Sequence, residues 1–171
     1  MKQIFRELET LEASINEQCI REIIEIISLC SGRIICLGAG RMGYTVQSFA
    51  MRLSHLGFNS YMLGDTALPK IKKGDLTIIN SSSGETQSIL LFAKLAKKFG
   101  SRLICITSEQ NSSIAKIADH VLNYKKIESE QMMKTVYEQF TFLLFDYIAE
   151  ELRKERNISI NFVENNHSIL E

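Results

Sequence analysis

The chain has 171 residues, 45% of them hydrophobic, which suits one globular domain with a sizeable core. Lys plus Arg and Asp plus Glu both number 20, so the formal net charge is zero; the basic excess of a general nucleic-acid binder is missing, and any anion site must come from local groups. No apolar run reaches the roughly 18 residues of a membrane-spanning helix, residues 1–10 lack the apolar core of a signal peptide, and Cys19, Cys30, Cys36 and Cys105 show neither zinc-ribbon nor thioredoxin-type spacing. A cytoplasmic location is the expectation, with Cys36 and Cys105 as buried free thiols inside apolar strands.

Ile4, Leu8, Leu11, Ile15, Cys19, Ile23 and Ile27 recur at helical spacing and predict one long amphipathic helix over 2–29, ended by Ser31-Gly32. Arg33 to Gly38 is a short continuous apolar run, as in a strand buried on both faces. A Gly-rich turn leads into a helix over 42–56, stopped by Gly57 and Asn59. The pattern then repeats: strands at 60–63, 76–80, 102–107 and 120–123, with helices at 86–99 and 112–118. Five strands alternating with helices predict a three-layer α/β/α sandwich around a five-stranded parallel sheet, in a single domain over 1–171. Residues 130–154 form a last long helix that is apolar on more than one face, with Val136, Tyr137, Phe140, Leu143, Phe145 and Tyr147 among its residues. One sheet cannot cover such a helix, so neighbouring subunits are expected to cover the rest. The tail, 157–171, reads as a linker and a short helix that packs on a neighbour.

Two turns follow strands. Gly38-Ala39-Gly40-Arg41-Met42-Gly43 satisfies GxGxxG between a strand and a helix, and Asp65 lies about where a ribose-binding acid would sit. A dinucleotide site is therefore a rival reading. The second turn, Asn80-Ser81-Ser82-Ser83-Gly84-Glu85-Thr86, gathers the hydroxyls of Ser81, Ser83 and Thr86 at a helix N-terminus, where backbone N–H groups and the helix dipole favour an anion. A phosphate dianion fits that set of donors; an ordinary Ser/Thr cap and turn is the plain alternative. No His55 or His120 cluster with Asp or Glu has metal-ligand spacing.

SSSGET resembles the SxSGxT phosphate loop of SIS (sugar isomerase) domains. The stretches GAGRMG, Phe49 to Asp65, Ala67 to Ile79 and Val136 to Leu152, with the terminal Asn166 to Glu171, are similar to the 6-phospho-3-hexuloisomerases of that family. The resemblance covers nearly the whole chain and is weakest over 2–29. It implies the SIS version of a Rossmann-like, flavodoxin-like fold, and it disfavours a nicotinamide enzyme, for which about 170 residues leave little room. It also implies conversion of 6-phospho-3-hexulose to fructose 6-phosphate through a cis-enediol, with no metal or organic cofactor.

The resemblance further implies Glu138 and His167 as catalytic residues. Glu138 lies among Tyr137, Phe140 and Val136, apolar neighbours that suit a general base; an exposed helix carboxylate is its plain alternative. A neutral His167 can give and take oxygen protons, the plain alternative being a frayed tail. Such a tail would reach a neighbouring subunit's site. Gly40, Arg41, Ser81, Ser83, Gly84, Glu85, Thr86 and Asp65 are the implied substrate-binding residues, Arg41 neutralising the phosphate or the enediolate oxygen. Implied partners are further copies of the chain, as a tetramer or dimer of dimers, and a 3-hexulose-6-phosphate synthase of the ribulose monophosphate route of formaldehyde fixation. Met42, Ser82 and Asp65 depart from the Ser, Gly and Glu usual in the family, and Met132-Met133-Lys134 replaces a Pro-Met-Gly type segment. A non-catalytic sugar-phosphate sensor, or an isomerase of another sugar phosphate, are the competing readings.

Overall fold

The structure, a computed structural model, describes residues 1–167. Five parallel strands make one sheet in the order β2-β1-β3-β4-β5: β1 Ile34–Gly38, β2 Ser60–Met62, β3 Leu76–Asn80, β4 Arg102–Thr107 and β5 His120–Asn123. The helices are α1 Lys2–Glu12, α2 Glu17–Ser28, α3 Gly40–His55, α4 Gln87–Lys98, α5 Ser113–Ile117, α6 Val136–Glu155 and α7 Ile160–Asn165. Both strand faces are apolar because both are covered. Ile34 and Cys36 of β1, with Ile104 and Ile106 of β4, face a core shared with α1, α2, α3 and α6. Ile35, Leu37, Leu103 and Cys105 face a second core with α4 and α5. The expected three-layer sandwich is what forms.

The expected helix over 2–29 is two helices. Asn16 caps α2, its side-chain oxygen accepting from the Gln18 N–H at 2.9 Å, and Ser14 donates to the Leu11 carbonyl at 2.6 Å. These side chains compete with the helix for its backbone partners. The apolar period continues through the break because α1 and α2 both pack on α6. The expected helix over 130–154 begins later, at Val136, after a 3₁₀ turn over Met132–Lys134. Met133 and Lys134 there take left-handed backbone angles, φ 53° and 60°.

Cys36 and Cys105 are buried as expected. Burial pushes the Cys36 thiol far up and the Cys105 thiol up to about 12, so neither is a reactive thiolate. At the N-terminal end of the central strand β3, buried Asp75 accepts from the Arg33 N–H, the Arg33 guanidinium and the Lys72 N–H. Burial alone would raise its carboxyl, but these bonds outweigh burial and hold it below the usual carboxylate range. No helix among the described residues is long and apolar enough to cross a membrane.

Candidate active site

In a parallel sheet of order 2-1-3-4-5, the direction in which strands are added reverses between β1 and β3, and the crevice outside their C-terminal ends is where ligands bind. The two Gly-rich turns lie there, one after β1 and one after β3. In the first, Gly38 and Gly43 meet: a Cβ on Gly43 would stand 2.9 Å from the Gly38 oxygen, and one on Gly38 2.8 Å from the Met42 oxygen. These glycines let α3 start directly from β1, and Gly40 opens it at φ 54°.

Arg41 leaves this first turn and forms an ion pair with Glu138, 97 residues on, in the first turn of α6. The helices α3 and α6 run parallel, so contacts descend in step: Arg41 with Glu138, Thr45 beside Thr141, Phe49 stacked on Phe145 at 4.6 Å, Arg52 with Asp146 at 3.6 Å. The Glu138 side chain is mostly buried (16% exposed), while Arg41 is 67% exposed. The apolar setting expected of Glu138 is thus only half of its surroundings; the other half is a guanidinium. A cleft of about 610 Å³ opens beside the pair, lined by Arg41, Tyr44, Thr45, Glu138 and Gln139 with Ile4, Phe5 and Leu8 of α1.

The second turn is stitched to β4. The Ser82 carbonyl accepts from the Thr107 hydroxyl at 3.0 Å, the Ser108 hydroxyl at 2.9 Å and the Ser108 N–H at 3.0 Å. Buried Ser81 accepts from the Gly84 N–H, and exposed Ser83 from the Glu85 N–H. Both hydroxyls therefore keep their protons to give. Thr86 caps α4 by position, with no side-chain hydrogen bond to the helix, which leaves the first N–H groups of α4 for an anion. Gly84 has φ 60°, and a Cβ there would lie 2.0 Å from the Ser112 hydroxyl oxygen.

Two expected ligand residues are engaged elsewhere. The Glu85 carboxylate accepts from the Ser113 N–H at 2.7 Å, at the start of α5, and hydrogen bonds from the backbone and hydroxyl of Ser113 hold it below the usual range. Asp65 accepts from the Met62 N–H at 2.7 Å, closing its own turn after β2. That bond fixes the orientation of the Asp65 carboxylate at the β2 turn through one of its oxygens. His167 is not near Glu138 within one chain. It packs against His55, the last residue of α3, with the rings tilted by 36° and their centroids 4.6 Å apart, roughly 20 Å along α3 from Arg41. Buried His55 and partly buried His120 lie away from the two turns, and Lys126 pairs with Glu109. Residues 168–171 of the terminal signature lie outside the described residues. Among the described residues no group of three or more His, Cys, Asp or Glu is placed to hold a metal ion.

The sequence reading missed Asn80, Thr45 and Thr141, which join β3, α3 and α6 beneath the Arg41–Glu138 pair. An amide closing the apolar run Leu76 to Asn80 was the available signal, since a buried amide needs partners.

The SIS domain model matches residues 28–149. A 3-hexulose-6-phosphate isomerase of Bacillus subtilis is 33% identical over 99% of this chain and 96% of its own. One of Methanocaldococcus jannaschii is 37% identical over 74% of this chain and 70% of its own. A crystal structure from Methanococcus jannaschii, reported to infer a molecular function of 3-hexulose-6-phosphate isomerase, superposes with TM-score 0.90 at 30% identity, covering 99% of this chain and 98% of that one. With the switch-point crevice, the phosphate-type loop and the paired Arg41 and Glu138, these likenesses agree: the chain belongs to the SIS domain family and, within it, to the sugar-phosphate isomerases that include the 3-hexulose-6-phosphate isomerases.

Proposed function

We propose that the protein interconverts 6-phospho-3-hexulose and fructose 6-phosphate through a cis-enediol. The observation that carries this reading is the Arg41–Glu138 ion pair, a cation on a carboxylate at the starts of α3 and α6, joined to the strand that feeds the Ser81–Thr86 loop by the Asn80 hydrogen bonds to Thr45 and Thr141. The loop and the N-terminus of α4 bind the phosphate. Glu138 takes the C2 proton, and the C2–H electrons form the C2=C3 bond while the C3 carbonyl π electrons move onto its oxygen. Arg41 stabilises the enediolate oxygen as charge develops. Glu138 then returns a proton to C3, the 2-hydroxyl proton is passed to O3, and the carbonyl re-forms at C2. The proton balance needs no oxidant or reductant.

His167 moves the oxygen protons in this reading, and it does so in a neighbouring subunit's site, since within one chain it lies a helix length from Glu138. Exposed Phe5, Tyr44, Phe142, Leu143 and Tyr147 around the cleft supply an apolar face for that neighbour. Substrate would come from a 3-hexulose-6-phosphate synthase condensing formaldehyde with ribulose 5-phosphate, or the pair would run in reverse to supply pentose phosphate. The test couples the protein to such a synthase and follows fructose 6-phosphate. Glu138→Gln is expected to lower kcat about 10²-fold or more. A fully active Glu138→Gln, or a folded wild type that makes no product, would overturn the reading.

A further inference from the structure

Asn80 is fully buried at the end of β3. Its Nδ2 lies 2.7 Å from Thr45 Oγ1, 3.2 Å from Thr141 Oγ1 and 3.3 Å from the Met42 carbonyl oxygen. The Thr45 hydroxyl donates to the Met42 carbonyl at 2.9 Å, and the Thr141 hydroxyl to the Glu138 carbonyl at 3.4 Å. Each threonine spends its proton along its own helix and offers Asn80 a lone pair. With both threonine protons directed in this way, it is the amide nitrogen that meets the two hydroxyl oxygens. Thr45 sits one turn beyond Arg41, and Thr141 one turn beyond Glu138. One buried amide thus ties the first turns of α3 and α6 to the strand that feeds the Ser81–Thr86 loop.

The other edge of the amide has no such role. Asn80 Oδ1 is buried and has no hydrogen-bond partner among the described residues. An orphaned buried acceptor destabilises the fold, and an aliphatic residue in this apolar strand would avoid it. We propose that Asn80 is a positioning residue for catalysis: its Nδ2, held between Thr45 and Thr141, sets the register of α3 against α6 that puts the Arg41 guanidinium on the Glu138 carboxylate. The inference rests on the isomerase reading for its kinetic consequence, but not for its structural one.

The test is Asn80→Leu, which removes the donor and the orphaned acceptor together without adding charge. Its crystal structure is expected to show Arg41 and Glu138 no longer in contact, a result that needs no substrate. In the coupled assay kcat is expected to fall about 10-fold or more with KM changed less than about 3-fold, because misplaced groups cost turnover more than binding. Thr141→Val, which leaves Asn80 in place, is expected to lower kcat in the same sense, and the double variant to lose little more than Asn80→Leu alone. It also serves as the primary variant should Asn80→Leu not fold. An intact Arg41–Glu138 contact in the variant crystal, a kcat within about 2-fold of wild type, or additive losses would overturn the proposal. An inactive wild type would instead count against the isomerase reading, leaving the crystal structure to judge Asn80.

Discussion

Gly84→Ala is the sharpest probe of the phosphate loop. The position has φ 60°, which costs a residue with a Cβ about 1–2 kcal/mol. The new methyl would also stand 2.0 Å from Ser112 Oγ and 2.5 Å from Ser112 Cβ. Neither side can simply slide away. Ser112 is buried and caps α5, and the Gly84 carbonyl itself accepts from the Ile114 N–H at 3.1 Å. Relief of the clash therefore displaces the cap, worth about 1 kcal/mol, or strains the loop by a similar amount. The sum is about 2–3 kcal/mol, or roughly 4–12 °C in Tm for a chain of this size. KM should rise as well, since the loop that receives the phosphate must move. Gly84→Ala with Ser112→Gly removes both clashing atoms and keeps a tolerable cap. Scanning calorimetry should show it recovering about a third of the lost Tm, the part due to the clash, while the cost of φ 60° stays. A single variant that melts with wild type at unchanged KM, or a double variant that melts no higher than the single one, would sink this account of the loop.

Asp75→Asn leaves Arg33 without its charge partner in a largely buried site, and about 3–5 kcal/mol of stability should be lost at pH 7, read by urea titration. Because the folded-state carboxyl of Asp75 lies below its ordinary value, the unfolded chain binds the extra proton. Its contribution is fully present above about pH 4 and disappears as pH falls through the folded value, so wild-type stability should drop more steeply there than that of Asp75→Asn; parallel curves would contradict the assignment. Lys134→Gly relieves a left-handed backbone before α6 and should raise Tm by roughly 2–4 °C, corresponding to about 1 kcal/mol, whereas an unchanged or lower Tm would show no strain at that residue. If His167 serves a neighbour's Glu138, refolding Glu138→Gln with His167→Gln in equal amounts should restore about a quarter of the wild-type sites, by random assortment in a symmetric pair. Hybrids as inactive as their parents would place both groups in one chain or neither in the site.

The layers and the strands were legible because their apolar runs are continuous and bounded by turn residues; β4 and β5 stand where the sequence put them. The phosphate-type loop was legible too, since hydroxyls at a helix start follow a buried strand. The break between α1 and α2 was not, because Ser14 and Asn16 interrupt the backbone without interrupting the apolar period. The late start of α6 depends on two non-glycine residues at positive φ, which no composition rule flags. The carboxylates of Glu85 and Asp65, expected ligands in a linear motif, each also accept a backbone N–H, from Ser113 and Met62, contacts that exist only once α5 and the β2 turn are folded. The Arg41–Glu138 pair spans 97 residues and depends on α3 and α6 running parallel, which local periodicity does not determine.

The most direct test incubates the wild-type protein with fructose 6-phosphate in D₂O and follows the sugar protons by NMR. A 2,3-enediol formed by Glu138 removes the C3 proton of fructose 6-phosphate, so that proton should exchange for deuterium while the C1 protons persist, and Glu138→Gln should slow the exchange about 10²-fold or more. Exchange at C1 alone would mean a 1,2-enediol and a different sugar phosphate, and bound fructose 6-phosphate that exchanges nowhere would mean a site that binds without carrying out proton transfer.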